Sequence, residues 1–367
     1  MRSKSFLWAL LAHGKRRRVL VILGLATFAL LITFQFSIQH YGARWKSEQN
    51  YLDKLPYYTW DSEPLIHPPA NGMEENAAAD PNICDRFPAH LFERVQIVLK
   101  TGTAEDRGRL NASLSTVLSC IPNLLVFSDM AEKVGTHDAI DILANLPLSY
   151  RNNADFAAYQ AQREAKEQGK EAFQNGEGWK LDRFKFLPMV EMAYALRPLA
   201  SWYVFLEADT YISWDNLLRF LNNFDPAKPL YMGVPIPGSP GKWFAHGGSG
   251  WVLSNGAISK FLSRKMSPDG TYMESPVSVR FEEAVAADCC GDAALGYALF
   301  AQGIKLSGYY PMFNGDNTEE IKINKDNWCN PIISLHHIEP MEMNALWQWE
   351  MSRVDKQVRI RSLTYQN

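Results

Sequence analysis

Two carboxylates, Glu207 and Asp209, stand at the mouth of an apolar run, Trp202-Tyr203-Val204-Phe205-Leu206, and Thr210-Tyr211-Ile212 follows them. Such a run carries no water to solvate a charge, so acids at its end need a cation or a hydrogen-bond network to face. A divalent metal is one such partner; the alternative is that the acids cap the next turn. Near the C-terminus, Ile332 to Ile338 reads as a strand with adjacent histidines, His336 and His337. Side chains alternate faces along a strand, so only one of the pair is expected to point into a given site. Carboxylate plus imidazole suits a divalent transition ion such as manganese, with open positions for a diphosphate. A further acid, Asp292, opens an apolar helical run after Cys289-Cys290-Gly291. It fits the N-cap of that helix and equally a general base held near the helix's N-terminal end.

These residues need a scaffold. Arg94 to Leu99 is a β run ending in Lys100-Thr101-Gly102, and Leu124 to Phe127 is a second, ending in Ser128-Asp129-Met130. Arg107 to Cys120 between them reads as a helix, which makes a βαβ unit with its loops gathered at the strand C-termini. Ala154 to Phe173 reads as an exposed helix whose charges form a solvated face. Trp179 to Leu196 puts apolar residues at helical spacing beside Lys180, Arg183 and Lys185 and leads to the strand that bears Glu207. Trp214 to Asn223 looks helical and Leu230 to Val234 is a short strand. Next, Ala245-His246-Gly247-Gly248-Ser249-Gly250 precedes the β run Trp251 to Ser254. Glycines there permit close backbone approach to a ligand and equally mark an ordinary turn; the pattern is not that of a P-loop.

At 367 residues and 47% hydrophobic content, the chain can bury one large core or two modest ones. Its formal charge is −3, but residues 1–18 hold six basic side chains and no acid, leaving −9 beyond them. That acidic remainder argues against nucleic acid as a partner. Val19 to Ile38 is twenty residues without a charge, long enough to span about 30 Å of hydrocarbon as a helix. The stretch exceeds a usual signal-peptide core and no small-x-small cleavage site follows, so an uncleaved anchor is the expectation over a cleaved signal peptide. Lys15 to Arg18 keep the short tail cytoplasmic and send the body across the membrane. The expected order is a tail at 1–18, an anchor at 19–38, a Pro-containing stem at 39–83, a catalytic domain at 84–350 and a C-terminal tail at 351–367. Asn111-Ala112-Ser113 is a glycosylation sequon, and five cysteines could pair in an oxidising compartment. Cys84 with Cys120, and Cys329 with Cys289 or Cys290, are the expected bridges.

Seven stretches, in order, resemble the fringe-like and core β1,3-galactosyltransferase-like members of the family 31 glycosyltransferases, especially fungal ones. They are LKTG (99–102), FSDM (127–130), GWKLDRFKFLPM (178–189), WYVFLEADTYI (202–212), GGSGWVLS (247–254), CCGDAALGYAL (289–299) and LHHIEP (335–340). The resemblance implies a GT-A fold, a Rossmann-like α/β/α sandwich, with a UDP-sugar donor, a manganese-type cofactor and inversion at the anomeric carbon. It makes Asp209 the metal ligand of a DxD-like element, with Glu207 touching the ribose or a metal-bound water. His336 corresponds to the family's histidine ligand, with His337 as the alternative. Asp129 would contact uridine, and the backbone of Lys100, Thr101 and Gly102 would border the nucleotide; Arg183, Gly247 and Gly248 join the donor-binding set. Asp292 matches the acid that deprotonates the acceptor hydroxyl, while Gly291 stands where a first acid of that pair is expected. Trp243, Phe244 or Trp251 would stack on a sugar or serve the core.

The implied activity is transfer of a hexose or N-acetylhexosamine from a UDP-sugar to a glycan or glycoprotein hydroxyl, in β1,3 linkage, by a single-pass type II protein of the Golgi or endoplasmic reticulum. Two alternatives stand beside it. A weak or inactive member would act as a lumenal sugar-binding or scaffold protein, and the irregular Glu-Ala-Asp motivates that reading. A metal-dependent hydrolase would use the same residue types, but no H-E-x-x-H cluster is present.

Overall fold

The strand β1 (Val95–Lys100), buried at all six positions, lies inside an eight-stranded sheet. The computed structural model describes Cys84 and residues 89–170, 178–238, 241–325, 327–328 and 330–355. The expected tail, anchor and stem, and Cys329, lie outside the described residues. Among those described, no helix is long and apolar enough to cross a membrane.

From β1 the chain runs through α1 (Arg107–Ser115) to β2 (Leu125–Ser128), then to β3 (Glu132–Val134) and β4 (His137–Asp141). Helices α2 (Ala157–Glu167) and α3 (Trp179–Leu196) lead to β5 (Trp202–Glu207), β6 (Tyr211–Ile212) and α4 (Trp214–Leu221). Next come β7 (Tyr231–Gly233), β8 (Pro235–Pro237), β9 (Trp243–Ala245), β10 (Trp251–Ser254) and α5 (Asn255–Leu262). The short α6 (Val277–Arg280) and α7 (Glu282–Ala287) precede α8 (Gly291–Ala301), β11 (Leu306–Gly308), β12 (Ser334–Leu335) and α9 (Pro340–Asp355).

The large sheet has the order β11-β7-β10-β5-β1-β2-β4-β3. Its centre is parallel: β1 pairs with β2 on one side and β5 on the other, and β2 with β4. Only β10, against β5 and β7, and β3, against β4, run antiparallel. Parallel strands must be covered on both faces, which is why β1 and β5 are near-continuous apolar runs. The predicted βαβ unit is β1-α1-β2. From β1 the chain first builds outward through β2 and β4, and then returns to place β5 on β1's other side. The strand order therefore reverses between β1 and β5, and at such a switch point open α/β sheets take their ligands in the crevice outside the carboxyl ends of the strands. Lys100 and Glu207, the last residues of the two strands, are register partners at that point.

Several expectations need correction. The run 332–338 is not one strand: only Ser334 and Leu335 pair, with β6, and His337 has a positive φ of 57°. The helix expected over 154–173 begins as a 3-10 turn and ends as a helix at Glu167. Cys84 and Cys120 form a disulfide, whereas Cys289 and Cys290 are free thiols, so neither makes the expected bridge to Cys329. Trp251 and Phe244 are buried, Trp251 stacking on Phe205 at 3.9 Å between ring centroids, which gives both to the core.

Candidate active site

At the β1/β5 boundary the buried Lys100, Lys185 and Asp129 meet the half-buried Asp182 and Glu207 in one ion-paired group. Lys100 Nζ bonds Asp182 and lies 3.1 Å from Glu207 Oε1. Lys185 Nζ lies 2.9 Å from Asp129 Oδ2 and 3.1 Å from Asp182 Oδ1, and donates to the Thr101 carbonyl at 2.9 Å. Burial opposes the charges of Lys100, Lys185, Asp129 and Asp182, but the opposite partners win. Asp182 and Glu207 hold the Lys100 ammonium well above its usual range, and Lys185 with the Thr103 hydroxyl and amide holds Asp129 below the usual carboxylate value. Asp182 and Lys185 lie on one face of α3, three residues apart. Arg183, offset from that face, turns away: it bonds Asp155, Asn153 and the Asp288 carbonyl. The structure thus gathers Lys100, Thr101, Gly102, Asp129 and Glu207 and leaves Arg183 outside the group. Both oxygens of Asp129 are engaged, one by Thr103 and one by Lys185.

A tight turn carries the next acid. The Glu207 amide donates to Thr210 Oγ1, whose hydroxyl donates to the Gly248 carbonyl. Ala208 inside this turn is 1% exposed, so a carboxylate there would be buried without solvent. Asp209 projects from the turn to meet His336, with Nε2 3.3 Å from Oδ1, and His337, with Nδ1 3.8 Å from Oδ2. The Ile338 amide donates to the Asp209 carbonyl at 3.1 Å and fixes the histidine loop to the turn. Because His337 takes a left-handed backbone conformation, strand alternation does not apply. The two imidazoles share a side, with ring centroids 3.8 Å apart.

Asp209, His336 and His337 each offer a ligand atom, all within 4.8 Å of one another. Cis donors about 2.1 Å from one ion stand roughly 3 Å apart, so this group fits a divalent cation with little movement. One carboxylate and two imidazoles is also a donor set that transition ions favour. The cradle is built for the ring: a Cβ on Gly248 would come within 2.1 Å of His336 Nε2. Burial works against the Asp209 charge, but His336 and Arg109 outweigh it and keep the carboxyl below its ordinary value.

Asp292 sits on the other side of the glycine segment, in the first turn of α8. Its Oδ2 accepts from the Gly247 amide at 2.9 Å and Oδ1 from the Ala293 amide at 2.8 Å. Burial raises its carboxyl above the ordinary value, although those amides and His246 pull the other way. The N-cap position is Cys290, so Asp292 lies within the helix. The departure at Gly291 has a steric cause: a Cβ there would meet a Phe186 ring carbon at 2.3 Å and the Arg183 Cα at 2.8 Å. Helix α8 packs too closely on α3 to carry an acid at that position.

Five functional candidates carry no signal in the sequence. Glu105 is half-buried, and burial together with Asp209 and Glu207 raises its carboxyl, which places it beside the other acids. Arg109 lies 3.4 Å from Asp209 and bonds Glu339. Asp106 caps α1 through the Gly108 and Arg109 amides and so fixes where that arginine starts. Asp182 and His246 complete the set; Lys185 was seen only as one cation among three on its helix.

A family model described as Fringe-like matches residues 92–304. The chain belongs to the Fringe-like family. The matched region holds the buried charge group, Asp209, the glycine segment and Asp292, while His336 and His337 lie beyond it. Within this Fringe-like chain, 122 residues are 26% identical to human beta-1,3-N-acetylglucosaminyltransferase lunatic fringe, covering 28% of the chain and 31% of that relative. The match therefore spans under a third of the relative's length. Among solved structures, galactosyltransferase LgtC in complex with donor and acceptor sugar analogs aligns over 71% of the Fringe-like chain and 94% of its own, at 9% identity and a TM-score of 0.32. That score is too low to establish a shared fold.

Proposed function

We propose that the chain is an inverting, metal-dependent glycosyltransferase with a GT-A type catalytic domain. It moves a hexose or N-acetylhexosamine from a UDP-sugar to a hydroxyl of a glycan or glycoprotein, in β1,3 linkage. The observation that carries this reading is the use of two consecutive glycines: Gly247 holds Asp292 through its amide, and Gly248 leaves the space that His336 fills. On this reading a proton acceptor and a set of metal donors are held by adjacent residues of one backbone segment.

Asp209, His336 and His337 would hold the cation, which when bound there neutralises negative charge on a departing diphosphate. Asp292, its basicity raised by burial, takes the proton from the acceptor hydroxyl. The hydroxyl oxygen bonds to the anomeric carbon as the bond from that carbon to the diphosphate oxygen breaks, and UDP leaves with the electron pair. Arg109, beside Asp209, adds positive potential on the diphosphate side. Lys100, spoken for by Asp182 and Glu207, acts through position, and its pairing gives Glu207 the task of holding it.

The same reading puts the protein in the Golgi or endoplasmic reticulum membrane, anchored at residues 19–38 with its catalytic domain lumenal. The Cys84–Cys120 disulfide and the exposed sequon residue Asn111 support an oxidising, glycosylating compartment. The test is UDP release from a panel of UDP-sugars with manganese and an acceptor glycan. Release with one donor supports the reading; UDP binding without release from any donor favours a sugar-binding role instead.

A further inference from the structure

Resting on that reading, we propose that His246 binds a hydroxyl of the donor's sugar and sets which sugar is accepted. The residue follows β9 and adjoins both parts of the site, its ring packing on His336 and its chain neighbour Gly247 bonding Asp292. The two ring centroids are 5.1 Å apart, edge to face. The ring orientation is fixed, because Nδ1 shares a 2.7 Å hydrogen bond with the hydroxyl of fully buried Ser249. Nearby backbone leaves little slack, since a Cβ on Gly315 would stand 3.2 Å from that hydroxyl. Only Nε2 is left. Among the described residues no hydrogen bond reaches it, and the residue is half-buried rather than enclosed.

In an inverting displacement the attacking oxygen, the anomeric carbon and the departing oxygen lie in line. The sugar therefore spans the gap from the proton acceptor to the diphosphate side, and a side chain that adjoins both meets the sugar rather than the nucleotide. A sugar hydroxyl both donates and accepts, so either imidazole tautomer can bond it. A site built to bond one hydroxyl rejects a donor whose hydroxyl points elsewhere, because its polar group is then left unpaired.

The test is titration of UDP, UDP-glucose, UDP-galactose and UDP-N-acetylglucosamine, with manganese and without acceptor, into the wild-type chain, His246→Ala, His246→Asn and Ser249→Ala. The expected result is UDP affinity within about twofold of wild type for His246→Ala, with the ratio of preferred UDP-sugar to UDP affinity reduced roughly fivefold to tenfold. Preference among the sugars flattens. His246→Asn recovers part of the ratio, and Ser249→Ala, which frees the ring, loses part of it. Equal loss for UDP and UDP-sugars in His246→Ala, or no change in either, overturns the proposal. A wild-type chain that binds no UDP overturns it together with the glycosyltransferase reading, and is recognised because it appears before any substitution.

Discussion

Arg109 places its guanidinium Nη1 3.4 Å from Oδ2 of Asp209, and its Nη2 bonds Glu339 just before α9. The chain therefore supplies its own counter-ion to the acid that heads the metal-donor group. A cation entering there must compete with the arginine for the same oxygen. Arg109→Met is expected to tighten manganese binding, measured without nucleotide, by roughly twofold to fivefold, the range for a partly exposed ion pair. Calorimetric titration of manganese into both proteins checks this.

Gly248→Ala tests the cradle. An added Cβ would overlap His336 Nε2, and the ring cannot stay where it is. The variant is expected to keep its fold, at a cost of about 1–3 kcal/mol from overpacking, and to lose metal-dependent UDP binding. Thermal unfolding reads the first and calorimetry the second.

Asp292→Asn is expected to lower the transfer rate by about 10²–10⁴ while leaving UDP affinity unchanged. The pH profile carries a further sign. Burial raises the Asp292 carboxyl, and activity needs its ionised form, so activity is present above that raised value and disappears as pH falls through it. The acidic limb of kcat against pH should lie above the ordinary carboxylate range of about 4.

The Lys185–Asp129 pair is a stability element. Both side chains are buried, at 2% and 1% exposure. Lys185→Met leaves Asp129 buried without its cation and is expected to cost about 3–5 kcal/mol in urea unfolding. Adding Asp129→Asn to that variant should recover part of the loss. Asp129 has a folded value depressed below its unfolded one, so its stabilisation is complete above the unfolded value and is lost as pH falls through the depressed one. Acid should therefore weaken the wild type below about pH 4, and the double variant less steeply.

Much of this site was legible because residue type and strand ends coincide. Asp209, Asp129 and Lys100 follow apolar runs that could only be buried strands, and the parallel sheet brings those ends to one level. Register between strands distant in sequence cannot be read from spacing, so the Lys100–Glu207 pairing is not visible there, whereas the resemblance alone implies a ribose or metal-bound-water contact for Glu207. Arg183 and Lys185 have similar chemistry two residues apart on α3, and only the packing of that helix decides which joins the ion-paired group. Alternation assumes extended backbone, and a positive φ is not announced by histidine, so the sequence does not show that His336 and His337 share a side. Glu105 and Arg109 flank the capped start of α1, where charges ordinarily read as a solvated face.

The proposed activity requires a UDP-sugar held at this site through a cation on Asp209. Calorimetric titration of UDP into the wild-type chain and into Asp209→Asn, each with manganese and after chelation, checks that requirement. The wild type is expected to bind UDP only with manganese, and Asp209→Asn to lose that binding. Manganese-dependent UDP binding that is the same in both proteins, or no UDP binding by the wild type under either condition, would contradict it.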